Sequence, residues 1–325
     1  MHSRLLSCLP SRLPSRRPRA GLLAAVTVAA AALSIAGCGS SGEAAHARPG
    51  QIAAVGAENE YADVISQIGG RYVSVNAIES NPNTDPHTFE ASASVAQEVA
   101  GARLVVQNGV GYDDYMQKIE AASPSSSRRV VDVQHLLGLP DSTSNPHLWY
   151  LPRTMPAVAA KVAADLSDLQ PDHRAYFAAN LARFDASLKP WLAALASLRA
   201  AHPGVPVAVT EPVGDDMLQA AGARIMTPWT LQADIMNGVD PSPQDVSLQN
   251  GLFTGHRVKV FLYNEQVTDS LTESFLKLAA AQHIPVVGVY ETMPLGYHYQ
   301  SWMLAEVRAL QRAVADGVST EKLAP

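Results

Sequence analysis

Residues 51–78 read QIAAVGAENEYADVISQIGGRYVSVNAI, and the succession of patterns inside them decides the fold class. Gln51–Val55 and Tyr72–Ile78 are short apolar runs rich in β-branched residues, the composition of strands. Asn59–Ile68, between them, has the pattern of a helix. Strand, helix and strand in so short a span specify a parallel pair with a covering helix, because a parallel return needs a crossover.

The same alternation continues downstream. Arg103–Gln107 and Arg129–Val133 read as further strands, and Ala93–Val99 as a helix opened by a Ser94-x-x-Gln97 capping box. From Arg153 to Ala201 the pattern changes to two helical stretches rich in Ala, Leu and Asp, separated by Leu169-Gln170-Pro171-Asp172. The second stretch is long, and Pro190 inside it is expected to kink it. Strands resume at Val205–Thr210, Arg224–Thr227, Val258–Tyr263 and Ile284–Tyr290, with helices at Asp215–Ala221, Thr268–Gln282 and Tyr299–Gly317. The expected fold is α/β, with two lobes, each a parallel-sheet α/β sandwich, joined by one long α-helix. Residues 51–170 form the N-terminal lobe, 171–201 the linking helix and 202–325 the C-terminal lobe, with the site in the cleft. One long helix resists hinge bending, so small rocking of the lobes is expected rather than wide closure.

The amino terminus gives the address. Arg4, Arg12, Arg16, Arg17 and Arg19 precede an uninterrupted apolar run from Gly21 to Gly37, which ends at Cys38. That is the charged and apolar layout of a secretory signal. Ile35-Ala36-Gly37-Cys38 resembles a bacterial lipobox, whose cysteine becomes a lipidated N-terminus. Residues 1–37 are thus expected to be a lipoprotein signal peptide, Cys38 the lipidation site and 38–50 a flexible tether. The expected location is outside the cytoplasm, with membrane contact through the lipid. Of the two cysteines, Cys8 would leave with the signal, so no structural disulfide is expected. The whole chain carries a net charge of −6, and loss of the five arginines makes the mature chain more acidic still. Such a surface does not favour nucleic acid, so no nucleic-acid partner is expected, and it is compatible with a cation.

Two loops echo each other. Asp85-Pro86-His87-Thr88-Phe89 and Asn145-Pro146-His147-Leu148-Trp149 share an Asx-Pro-His-x-aromatic pattern. Proline fixes its own φ and pushes the preceding residue into extended backbone, so each imidazole is presented on a stiff loop. The second lobe supplies Glu211 and Glu291, each just past an apolar strand (Val207–Thr210 and Val286–Tyr290). In open parallel sheets ligands bind beyond the carboxyl ends of the strands. His87, His147, Glu211 and Glu291 therefore make a four-ligand metal cage in the cleft, with Glu58 and Trp149 as candidates for the surrounding contacts. Other acids near strand ends or loops, Asp113, Asp114, Asp215, Asp216 and Glu265, read as caps or supporting contacts, with Glu58 and Glu265 substitute ligands if the strand boundaries shift. Trp191, Trp229 and Trp302 are expected to pack.

On these segments, together with Leu104-Val105-Val106-Gln107-Asn108-Gly109, Thr210-Glu211-Pro212 and Glu291-Thr292-Met293-Pro294, the chain resembles a known family. This is the metal-specific, zinc and manganese group of solute-binding proteins of ATP-binding-cassette importers, which have a rigid linking helix. The resemblance runs roughly from Ile52 to Val314 and implies His87, His147, Glu211 and Glu291 as ligands, position by position. It also implies a membrane permease of an ABC transporter as partner and a bound ion that is cargo, with no catalytic cofactor. Two departures stand out. Many zinc-type members have histidine where this chain has Glu211, together with a histidine-rich loop, whereas Gly109–Asn145 holds His135 alone; and Leu151, not an acid, precedes Pro152. Two imidazoles and two carboxylates are harder than three imidazoles and one carboxylate, which orders the expected cargo as manganese, then zinc. The chain is expected to be a monomer and not an enzyme. The alternatives are a metallohydrolase, which would need an open coordination position, and a surface adhesin on the same fold.

Overall fold

The computed structural model describes residues 48–324; Cys38, the signal peptide and most of the tether lie outside them. Two four-stranded parallel sheets organise the chain. The first contains β1 (Ile52–Glu58), β2 (Val73–Glu79), β3 (Leu104–Gln107) and β4 (Arg129–Asp132) in the order β2-β1-β3-β4. The second contains β5 (Pro206–Val209), β6 (Arg224–Ile225), β7 (Val260–Asn264) and β8 (Val286–Val289) in the order β6-β5-β7-β8. The two orders are the same arrangement. In each, the chain leaves the central strand to one side and then crosses to the other, so a switch point opens between β1 and β3 and between β5 and β7. A crevice forms at such a point, beyond the strands' carboxyl ends.

Helices cover the first sheet: α1 (Asn59–Gly69), α2 (Ala93–Gly101), α3 (Asp114–Ala122), α4 (Val133–Leu136) and α5 (Thr154–Leu169). On α1 the buried residues Tyr61, Val64, Ile65 and Ile68 recur at helical spacing and face the core. The cap of α2 is Ser92, which accepts from the Val95 amide, not the Ser94 box that the sequence suggests. The backbone turns into the helix two residues earlier, at an extended Ser92.

The linking helix α6 spans Arg174–Ala201 without interruption. Its buried residues Phe177, Asn180, Phe184, Leu188, Trp191, Leu195 and Leu198 follow a strict three-and-four spacing, one stripe on one face. Pro190 lies inside the helix on its exposed side, where water can replace the missing backbone bond. Asn180 reaches from this stripe to donate to the Ile68 carbonyl at the end of α1, at 2.7 Å. The α6 stripe joins one continuous apolar core with Ile65 and Trp149 of the first lobe and Leu262, Tyr299 and Trp302 of the second.

The second lobe adds α7 (Asp215–Ala220), α8 (Trp229–Met236), α9 (Pro243–Thr254), α10 (Ser270–Ala281) and α11 (Tyr299–Asp316). Helices α3, α4, α8 and α9 are additions to the sequence reading, although Ser242-Pro243 before α9 is a capping signal: Ser242 accepts from the Asp245 amide at 3.1 Å. Trp229 does not pack as expected; it is 41% exposed, at the first turn of α8. Among the described residues no helix is long and apolar enough to cross a membrane.

Candidate metal centre

Each of the residues in question lies just beyond a strand or on a loop that a strand feeds. His87 follows β2, His147 follows β4 and α4, Glu211 follows β5 and Glu291 follows β8. The two Asx-Pro-His loops use the same local device. Asp85 Oδ1 accepts the His87 amide at 2.8 Å, and Asn145 Oδ1 accepts the His147 amide at 3.2 Å. Asn145 Oδ1 also lies 2.8 Å from His147 Nδ1. A donated Nδ1–H there sets the tautomer that leaves Nε2 with a free lone pair.

Both imidazoles turn to one atom. His87 Nε2 lies 3.1 Å and His147 Nε2 3.3 Å from Glu291 Oε2. Among the described residues, ligand atoms of His87, His147 and Glu291 all lie within 4.8 Å of one another. Glu211 stands outside that trio and is tied to it by Asn264. Asn264 Nδ2 donates to Glu211 Oε1 at 2.7 Å and to Glu291 Oε1 at 2.6 Å. Glu211 Oε2 is buried with no partner.

The charges are arranged accordingly. Burial lowers the His87 pKa, but the Glu291 carboxylate, with Glu211 and Asp85, outweighs it and holds the imidazole at about 9. His147 is fully enclosed, and burial pushes its pKa down despite Glu291. Burial would raise Glu291, yet its bonds with His147 and His87 keep it well below the usual carboxylate range. Burial, followed by the neighbouring Glu291 charge, raises Glu211. At neutral pH the site thus holds a protonated His87, a neutral His147 and an ionised Glu291, with Glu211 shifted toward its protonated form. His147 Nε2 and Glu291 Oε2 lie 3.3 Å apart, a separation that matches neighbouring vertices of a metal shell with bonds of about 2.0–2.2 Å.

The surrounding contacts come largely from residues that the sequence did not single out. Tyr112 Oη donates to Glu291 Oε2 at 3.0 Å. Trp149, fully buried, stands edge-on to His147 with ring centroids 5.4 Å apart. Gln266 Oε1 accepts the amides of Glu291 and Thr292, while its Nε2 donates to the Thr84 carbonyl on the His87 loop. Asn108 Nδ2 donates to the Pro146 carbonyl and so fastens the His147 loop. Gly109 beside it has φ +79, and a Cβ there would meet Gln134 Cβ at 2.9 Å, so glycine is needed.

Glu58 is not among the converging ligand atoms. Its carboxylate is buried without a partner, and burial, then Asp113, Glu79 and Glu60, raises its pKa. Glu265 lies 3.8 Å from Lys322 and is likewise outside the cluster. Asp113 braces the Asn108-Gly109 turn through both amides. The rule that marked Glu211 and Glu291 also points to Asn264, which ends β7; the neighbouring acid Glu265 drew the attention instead.

The chain is 28% identical over 178 residues to the manganese-binding lipoprotein MntA of Bacillus subtilis (strain 168), a match covering 53% of this chain and 56% of that protein. The chain therefore matches little more than half the length of that relative. Its fold is that of the periplasmic zinc binding protein TroA from Treponema pallidum, with a TM-score of 0.69, 16% identity and coverage of 83% of this chain and all of that one. It is also that of a crystal structure of ZnuA, with a TM-score of 0.67, 20% identity and coverage of 82% and 100%. The family model for ZnuA, zinc-uptake complex component A, periplasmic, matches residues 55–313. With two lobes, a linking helix and a histidine–carboxylate cluster in the cleft, this chain belongs to the ZnuA family.

Proposed function

We propose that the protein captures a divalent transition-metal ion, zinc or manganese, outside the cytoplasm and hands it to an ABC importer, without catalysing a reaction on it. The observation that carries the reading is the convergence of His87 Nε2 and His147 Nε2 on Glu291 Oε2, at 3.1 and 3.3 Å. His87, His147 and Glu291 are the ligands in this reading, with Glu211 as the fourth. Four protein donors close a coordination shell, whereas a hydrolytic metal site keeps a position open for water. Membership of a family described as a periplasmic zinc-uptake component, and the likeness to a lipoprotein described as manganese-binding, support the same reading.

Entry of the ion is proposed past the His87 loop. That side chain is 24% exposed, and a cavity of about 300 Å³ lined by Glu79, Asp85, Phe89 and Thr292 lies alongside. Anchoring through a lipid on Cys38 belongs to the proposal as well. In the expressing cell, Cys38→Ser is expected to shed the protein into the soluble fraction; a variant still tightly membrane-bound points to another anchor. The function itself is tested by titrating metal-free protein with zinc and with manganese. Saturable one-to-one binding of at least one ion is expected, and absence of binding to both overturns the reading.

A further inference from the structure

We propose that Asn264 limits each carboxylate of the centre to one ligating oxygen, and so sets the number of donors that the ion meets and the preference between metals. The inference rests on the capture reading above and adds a residue that determines its specificity.

Asn264 is the last residue of β7 and is completely buried. Its single amide nitrogen carries both bonds, one to Glu211 Oε1 and one to Glu291 Oε1. The amide cannot turn over. Its Oδ1 accepts the Gln266 amide at 3.0 Å, and its own backbone amide donates to Thr210 Oγ1 at 3.1 Å. A reversed amide would set Oδ1 against two carboxylate oxygens and Nδ2 against a backbone N–H.

The consequence falls on the two carboxylates. Each has one oxygen held against an N–H dipole, which repels a cation. The other oxygen of each is not held by a fixed N–H dipole: Glu211 Oε2 is buried and unpartnered, and Glu291 Oε2 meets both imidazoles and the Tyr112 hydroxyl, which can turn its proton away. Chelation through both oxygens of either glutamate would pull Oε1 from Asn264 and strand a buried amide proton, which costs the full desolvation of that group. The centre therefore offers two nitrogens and two single oxygens. Four such donors suit tetrahedral zinc, whereas manganese favours more oxygen donors in an octahedral shell. The oxygen-rich ligand set leans toward manganese by composition, and the Asn264 tether takes back the extra oxygens that manganese would use.

The test loads metal-free wild type with cobalt(II), whose visible spectrum reports coordination number, and follows with competition titrations of zinc against manganese. Wild type is expected to give the intense bands of four-coordination. In Asn264→Ala both carboxylates are free to chelate, so the cobalt bands should weaken and the manganese-to-zinc affinity ratio should rise about tenfold, within the span of outer-shell changes. Asn264→Ser keeps one hydroxyl donor, should fall between the two, and serves if the alanine variant does not fold. A six-coordinate spectrum in wild type overturns the proposal. So does an alanine variant that loses affinity for both ions by one common factor with the spectrum unchanged, the signature of a merely structural role. Wild type that binds none of the three ions overturns the capture reading itself, a result distinct from either.

Discussion

At the scale of single residues, the two histidines differ in how they are held, and the difference has measurable consequences. His147 is sealed and oriented through Asn145, while His87 is partly exposed and paired with Glu291. Both sit on loops outside the apolar core, so His147→Ala and His87→Ala should fold. Each is expected to lower metal affinity more than about a hundredfold, beyond the span of roughly 10–100-fold that outer contacts control. Wild-type affinity by calorimetry in either variant removes that histidine from the site. Asn145→Ala keeps both imidazoles but frees the ring of His147, and a loss of roughly 10–100-fold is expected. Proton release gives an independent check. His87 holds its proton up to about pH 9 in the metal-free protein, and burial shifts Glu211 in the same direction. An ion must displace the His87 proton, so affinity should climb as pH rises toward about 9 and fall on acidification. Titrations at pH 7.5 in buffers of different ionisation enthalpy should count at least one proton released; a count of zero contradicts these protonation states.

Among the elements, α6 and α11 carry the argument. Trp191 of α6 is fully buried and meets Tyr299 of α11 edge-on, with centroids 5.9 Å apart. Trp191→Ala should cost about 3–5 kcal/mol, the usual range for emptying so large a core position, as read from denaturant melts. A cost below about 1 kcal/mol would mean that the two helices are not joined there. Glu306 of α11 lies in the same region, fully buried. It accepts from Tyr150 Oη at 2.9 Å and Trp302 Nε1 at 2.7 Å. Burial raises its carboxyl to about 8 in spite of those bonds, so the folded protein keeps a proton that the unfolded chain loses near pH 4.3. Its contribution to stability is complete below that lower value and is lost as pH climbs toward about 8. Glu306→Gln, isosteric and neutral, should therefore gain melting temperature relative to wild type as pH goes from 5 to 8.5. A difference that stays constant with pH would show that Glu306 does not hold the proton.

Over the whole molecule, the lobes are joined by more than the linking helix. Asn59 and Met293 exchange two bonds, Asn59 Nδ2 to the Met293 carbonyl at 2.8 Å and the Met293 amide to Asn59 Oδ1 at 2.9 Å. Tyr299 Oη donates to the Trp149 carbonyl, Tyr150 Oη accepts the Tyr290 amide and Gln266 donates to the Thr84 carbonyl. Together with a core continuous through α6, these ties leave little room for a wide hinge. Solution scattering should therefore give nearly the same radius of gyration with and without zinc, and a large contraction would contradict this reading. Stability should still respond, because a ligand that binds the folded state alone adds about 2.7 kcal/mol at a hundred times its Kd. Asn59→Ala removes the reciprocal pair, and a raised metal dissociation rate with little change in melting temperature is the expected result.

Several features were legible in the residues alone. β-Branched runs alternating with helical patterns named the parallel sheets, since strand and helix periods are local properties of the chain. Two Asx-Pro-His loops and two glutamates beyond apolar strands marked side chains that the fold brings near one another, because the carboxyl edge of a parallel sheet is where such side chains gather. Boundaries were less legible. β1 runs on to Glu58 through Gly56 and Ala57, residues of low strand preference that nonetheless pair, Gly56 with Ala77 and Glu58 with Glu79. What only the tertiary structure decided is the order within the site. Glu291 is its hub, Glu211 is held one step away, and Tyr112, Gln266 and Asn264 set the geometry. Those bonds join residues far apart in the chain, Tyr112 to Glu291 across 179 positions and Asn264 to Glu211 across 53. No local pattern encodes such partners, because each is selected by which strand ends the two sheets bring face to face.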